Sequence, residues 1–308
     1  LVALALADAP GAHPSEWYGV QPLSTDRPLV DLEADSDARI AVSPSRLEDA
    51  ERCPLDWAIS TLGGGSSGVS QGIGTLLHHA LETADGAVSA EEVAQVVAAE
   101  WGNLMFEARW QEERTRAVVQ EMARGLADYL AEFEASEREL VGREARLSLE
   151  IDRARIEGVA DRLEARRLVD GRLEVSVVDL KTGGTLPPGP ELPQHAQLQA
   201  YQLGVRHHAF AWEGDAVNAE VVNGGARLLY VHPDVRTVRG SEAGSTFRQP
   251  TQPLMDATAE QAFRERVNAI AQVMAAGSFQ ARVEHHCSNP YALGGACRLH
   301  IIPAVSHA

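Results

Sequence analysis

Val175-Ser176-Val177-Val178-Asp179-Leu180-Lys181-Thr182-Gly183 is a β-branched, mostly apolar run that ends in an Asp-x-Lys triplet and a glycine. Such a run reads as a strand buried on both faces, the kind found in the middle of a sheet covered by helices. Residues two apart on a strand share a face, so Asp179 and Lys181 point the same way while Leu180 turns into the core. Taken alone, that pair fits a structural salt bridge as well as a reacting centre.

Outward toward the N-terminus, Ala145, Leu147, Leu149 and Ile151 alternate with polar residues, and Arg155 to Leu163 forms a further strand that ends near Asp161. Two carboxylates from adjacent strands, Asp161 and Asp179, suit a hard divalent cation with a preference for oxygen ligands. Such an ion neutralises a phosphate and lowers the pKa of a bound water, and Lys181 is placed to orient or deprotonate that water. Lys181 is also the only lysine among 27 basic side chains. A surface lysine tolerates exchange for arginine, whereas a compact ammonium at a reacting phosphate does not.

Toward the C-terminus, Pro187, Pro188, Pro190 and Pro193 make a loop before a helix from about Gln194 to His208. That helix sets Gln197 and Tyr201 on one face, four residues apart. A strand from Ala226 to His232 and a helix from Ala257 to Ala276 follow. Upstream, Ser43-Pro44-Ser45-Arg46-Leu47-Glu48 announces a helix, with Ser45 and Glu48 spaced as a capping box. A second helix spans about Gly72 to Ala87 and carries His78, and two or three more fill residues 90 to 138. The order predicts an α/β domain, a central mixed sheet flanked by helices with an N-terminal helical insertion. Residues 1–40, with four prolines and an acidic run, read as a linker or arm from a preceding domain, and 41–308 as the domain itself.

Composition limits the setting. The formal charge of −17 argues against a stand-alone nucleic-acid binder, though not against an enzyme whose nucleic acid is held mainly by neighbouring domains. No run of about 18 apolar residues occurs, so no membrane span is expected. The apolar opening Leu1 to Ala7 lacks a preceding basic residue and reads as the interior of a longer chain rather than a signal peptide. Three cysteines, Cys53, Cys287 and Cys297, fit a reduced, cytoplasmic location. Gly63-Gly64-Gly65 and Gly224-Gly225 lack the spacing and following residues of a phosphate-cradling loop, which excludes a nucleotide-binding metabolic enzyme.

Several motifs stand in a fixed order: Ser-Pro-Ser with a following Cys-Pro (Ser43 to Pro54), Gly-Thr-Leu-x-His (Gly74 to His78), Gly-x-x-Asp-Arg (Gly158 to Arg162), Asp-Leu-Lys-Thr-Gly (Asp179 to Gly183) and Gln-x-x-x-Tyr (Gln197 to Tyr201). Together they resemble the RecB-type branch of the PD-(D/E)xK nuclease superfamily over about residues 40 to 300. Trp17-Tyr18-Gly19-Val20 and the segment Arg298 to Val305 are similar to Adn-type helicase–nuclease subunits. The resemblance implies a restriction-endonuclease-like core with His78, Asp161 and Asp179 as metal ligands. The last two would hold Mg²⁺ or Mn²⁺, with Lys181 catalytic and Gln197 and Tyr201 facing the DNA strand. It further implies a deoxyribonuclease acting on single-stranded DNA during double-strand-break processing. Its partners would be helicase motor domains in the same parent chain and a second helicase–nuclease subunit. The alternative is a DNA-binding scaffold of such an assembly that has lost its chemistry. Many members of that branch carry a 4Fe–4S cluster. Cys53, Cys287 and Cys297 fall where three of its four cysteines belong, with Asn289 and Pro290 near the place of the fourth. Burial as hydrophobes, or zinc bound by three cysteines and a histidine, are the other readings of these thiols.

Overall fold

The computed structural model describes residues 2–13, 16, 27–63, 68–212, 214–237 and 245–282. Its elements in chain order are α1 (Val2–Leu6), β1 (Ile40–Val42), α2 (Pro44–Arg52), α3 (Pro54–Leu62), α4 (Val69–Thr83), α5 (Ala90–Ala99), α6 (Arg109–Glu134), β2 (Arg138–Ile151), β3 (Ala154–Arg167), β4 (Leu173–Lys181), α7 (Ala196–Arg206), β5 (Val221–Tyr230), β6 (Thr251–Gln252) and α8 (Ala257–Ala275). The six strands form one mixed sheet flanked by helices, as the strand and helix order predicts.

Strand β3 is the pivot of the sheet. One of its edges pairs antiparallel with β2. The other edge is shared end to end, by β1 in parallel at Ala154 to Ile156 and by β4 antiparallel from Arg162 onward. Between those two stretches β3 has no strand partner on that side among the described residues, and Asp161 sits at the point where β4 begins to pair. Asp161 therefore lies inside a strand running to Arg167, not at a strand end as the alternation had indicated; what begins beside it is the β4 ladder. Parallel β5 covers the other edge of β4, with Asp179 opposite Leu228 and Lys181 opposite Tyr230.

Strand β4 is buried on both faces because its alternate residues enter two cores. Val175 and Val177 join Tyr201, Leu203 and Val267 beneath α7 and α8. Val178 and Leu180 join Leu77, Leu126 and Leu130 beneath α4 and α6. At about 25 cal/mol per Å² of apolar surface, each buried side chain of this size contributes on the order of 1.5–3 kcal/mol. The sheet is thus clamped from both sides where the Asp-x-Lys triplet emerges.

Two helices, α5 and α6, fill residues 90 to 138, and α5 begins with a full capping box between Ser89 and Glu92. The capping box expected at Ser45 and Glu48 is not formed: Ser43 is the N-cap of α2 and makes no side-chain cap bond. Glu48 Oε1 instead accepts from Ala196 N at 2.6 Å, which satisfies a free amide at the start of α7. Residues 27–39 lie against the sheet, with Leu32 buried and Val30 N donating to Ala275 O at the end of α8. Among the described residues no helix is long and apolar enough to cross a membrane.

Candidate metal centre

Four elements meet where β3 and β4 part. Helix α4 brings His78, β2 brings Glu144, β3 brings Asp161, and β4 brings Asp179 and Lys181. The α4 helix can lie close because Gly74, one turn before His78, has no side chain. A β-carbon there would stand 3.3 Å from Thr182 Oγ1, just past Lys181. Gly158 plays the same part for α2, since its missing β-carbon would meet Pro44 Cδ at 3.0 Å.

Asp161 ties the strands together. Its Oδ2 accepts from Leu180 N at 2.5 Å and its Oδ1 meets His78 Nδ1 at 2.9 Å. His78, Glu144 and Asp161 place one potential ligand atom each within 4.8 Å of one another. Asp179, expected in the ligand set, stands outside that trio and faces α7. Its Oδ1 accepts from Gln197 Nε2 at 2.7 Å and from Tyr201 Oη at 2.9 Å. Its Oδ2 is shielded from solvent and makes no hydrogen bond, although Lys181 Nζ approaches to 2.7 Å as an ion pair. That ammonium donates to Gln197 Oε1 at 2.7 Å. The same-face geometry of Asp179 and Lys181 is thus present, and so is their salt bridge.

Gln197 and Tyr201 occupy one face of α7 as their spacing requires, but both are buried, Tyr201 to 1% exposure. Their polar ends turn to Asp179 and Lys181, and Gln197 Nε2 also reaches Tyr201 Oη at 2.8 Å. They brace the Asp179–Lys181 pair.

The electrostatics are those of a site short of positive charge. Burial, with the charge of Asp179 added, raises the Asp161 carboxyl above the ordinary range despite hydrogen bonds from His78 and Leu180. Burial and then Asp161 raise Glu144. Burial pulls the His78 imidazole down, but its hydrogen bond to Asp161 and the charges of Asp161, Asp179 and Glu144 outweigh that, and the net shift is upward. Burial, followed by Asp179 and Asp161, pushes Tyr201 well above its ordinary value, so its hydroxyl stays protonated. A cluster in which carboxylates raise one another, beside a shielded carboxylate oxygen without a hydrogen bond, fits a hard divalent cation.

Glu144 and His195 escaped the sequence reading. Glu144 falls between the Arg143–Arg162 and Ala145–Ala160 pairs, opposite Asp161, with a φ of 43° that an L residue seldom adopts. His195 is the N-cap of α7, its Nδ1 shielded and without a partner, and burial lowers its pKa. Cys53 is buried at the junction of α2 and α3, with its Sγ 3.5 Å from Arg282 N. Cys287 and Cys297 lie outside the described residues, as do the segments Trp17 to Val20 and Arg298 to Val305.

A mixed six-stranded sheet with carboxylates and a lysine gathered where its central strands diverge defines a restriction-endonuclease-like protein. The family model described as the PD-(D/E)XK nuclease superfamily matches residues 41–297, and the chain belongs to that superfamily of metal-dependent nucleases. No curated protein matches the chain.

Proposed function

We propose that the chain hydrolyses phosphodiester bonds of single-stranded DNA during double-strand-break processing, working with helicase motors in its parent chain and with a second helicase–nuclease subunit. The RecB-type motif order supports the choice of substrate and partners. The observation that carries the chemistry is the trio His78, Glu144 and Asp161, gathered within ligand distance, with the Asp179–Lys181 pair on the neighbouring strand. Asp161 and Asp179 are the residues to hold Mg²⁺ or Mn²⁺, with His78 as a further ligand and Glu144 close enough to join them. When bound, the cation supplies charge neutralisation at the phosphate and a more acidic water.

The chain's own groups do the rest. Gln197 and Tyr201 fix the Asp179 carboxylate in one orientation, and Asp161 is held by the Leu180 amide. Lys181 Nζ, gripped by Asp179 and Gln197, is placed to orient the attacking water or to move its proton. Water oxygen bonds to phosphorus, the ester P–O bond breaks, and the departing alkoxide takes up a proton. The sequence keeps His78, Asp161, Asp179 and Lys181, and a degenerate copy would have lost at least one of them, which supports an enzyme over a scaffold. The iron–sulfur reading rests on the resemblance, which gives Cys53, Cys287 and Cys297 as ligands. Iron and sulfide content of anaerobically purified protein tests it.

The test of the nuclease reading is cleavage of an end-labelled single strand with Mg²⁺ or Mn²⁺, beside Asp179→Ala. Metal-dependent cutting that vanishes in the variant supports it. Persistent cutting by the variant contradicts the site. Intact DNA in both, with the strand still bound, returns the chain to the scaffold reading.

A further inference from the structure

An acidic nuclease needs some local means of gripping a polyanion, and the pairing of its arginines shows where that could be. Among the described residues nearly every arginine side chain has a hydrogen bond or ion pair, most often with Asp or Glu. Arg114, Arg146 and Arg248 have neither, and Arg248 Nη1 is shielded from solvent without a partner. Of these, Arg114 and Arg248 line the cavities on either side of the turn that follows Lys181.

The first cavity, of about 410 Å³, lies between α4, α6 and Thr182–Gly184. Its floor is apolar, with Ile73, Val118 and Met122, and Arg114 stands on its wall. Ile73 is on the same helix as His78, and Thr182 directly follows Lys181, so the cavity is lined by segments that also carry the metal centre. The second, of about 610 Å³, begins at the same Gly184 and runs along Leu186, Pro187 and Leu192 to Arg248. Arg248 exchanges both backbone hydrogen bonds with Tyr230, at 2.8 Å each, and Tyr230 is in register with Lys181. Directly paired residues share a sheet face. Arg248 therefore extends the row that begins at Lys181.

Each cavity joins an apolar floor to one unpaired guanidinium, and a nucleotide has the matching composition, an apolar base face and a charged phosphate. We propose that these cavities are neighbouring nucleotide subsites for one DNA strand, in which Arg114 and Arg248 hold the phosphates flanking the one delivered to Asp161, Asp179 and Lys181. This rests on the nuclease reading for its substrate. It also reconciles the net charge of −17 with DNA binding, because the grip needs two unpaired cations beside the site instead of a basic surface.

The test is anisotropy of a fluorescein-labelled oligothymidylate on the full chain, in a Lys181→Gln background with Mg²⁺ so that the strand stays intact. Arg114→Gln and Arg248→Gln are each expected to weaken binding about tenfold and to reduce the slope of log affinity against log salt by about 0.7. Arg172→Gln removes the same charge at the far end of β4, where it pairs with Asp170, and should change neither quantity. Affinity and slope equal to those of Arg172→Gln in both variants would overturn the subsites. With Lys181 restored, arginine-dependent binding without cutting removes the nuclease reading and keeps the subsites. Cutting with an unchanged KM in both variants does the reverse, and no binding at all removes both.

Discussion

Asp161 and Glu164 lie three residues apart on β3, and both are buried, yet their surroundings differ completely. Glu164 has the Arg138 Nη1 at 2.8 Å and the Arg162 Nε at 3.0 Å, with Arg227 and the Tyr129 hydroxyl also on its oxygens. Three cations enclose one carboxylate, and Arg162 in turn lies 4.3 Å over the Phe133 ring. Asp161 has one histidine, one amide and two carboxylate neighbours. A buried charge with a full set of partners is a fixed part of a fold, whereas one left among like charges lacks a cation. The first cluster locks α6 to the sheet; the second is open to chemistry.

Four changes sharpen or break that contrast. The largest effect falls on Asp161→Asn. It should lower metal-dependent cleavage on the order of 10³-fold, since several kcal/mol of charge stabilisation at the phosphate go with it. In EDTA the same variant should be more stable than wild type by about 1 kcal/mol in urea melts, because it removes the burial of a charge and, after that, its repulsion with Asp179, the two causes that raise this carboxyl. A loss of stability there would show that Asp161 is a structural acid like Glu164.

Glu164→Gln should do the opposite and destabilise the fold by about 3–5 kcal/mol, as the arginines around it are left uncompensated. A urea midpoint near that of wild type would end the claim that this cluster holds α6 in place. Tyr201→Phe removes the hydroxyl from Asp179 and should lower kcat about 10–100-fold, with KM and salt dependence little changed. A rise in KM with kcat intact would instead make Tyr201 a strand contact.

The smallest effect concerns Glu260, clamped by Arg206, His207 and Arg264. Burial raises its carboxyl, but those three donors prevail and hold it down to about 2, below its ordinary value of 4.5. Its contribution is then present above pH 4.5 and is lost as the pH falls toward 2. The difference in urea midpoint between wild type and Glu260→Gln should be under about 1 kcal/mol at pH 7 and should shrink across that window. A difference that grows on acidification would reverse the assignment.

What could be read from sequence was whatever depends on spacing along one element. Period two places Asp179 and Lys181 together on β4, and a four-residue step places Gln197 and Tyr201 together on α7. Pairing between elements left no such trace. Glu144 enters the centre through its register against Asp161, which passes a register shift between Leu140 and Gly142 that no local pattern records. Glu48 satisfies the signature of its own helix start and still caps a different helix 148 residues away. Gln197 and Tyr201 have the right spacing, and only the packing of α7 on β4 shows that they turn inward.

The most direct test is Mn²⁺ binding followed by electron paramagnetic resonance. Wild type and Glu164→Gln should both bind the ion, and Asp161→Asn combined with Asp179→Asn should lose it. Equal affinity in that double variant and in wild type would contradict the assignment of the Asp161–Asp179 cluster as the metal centre.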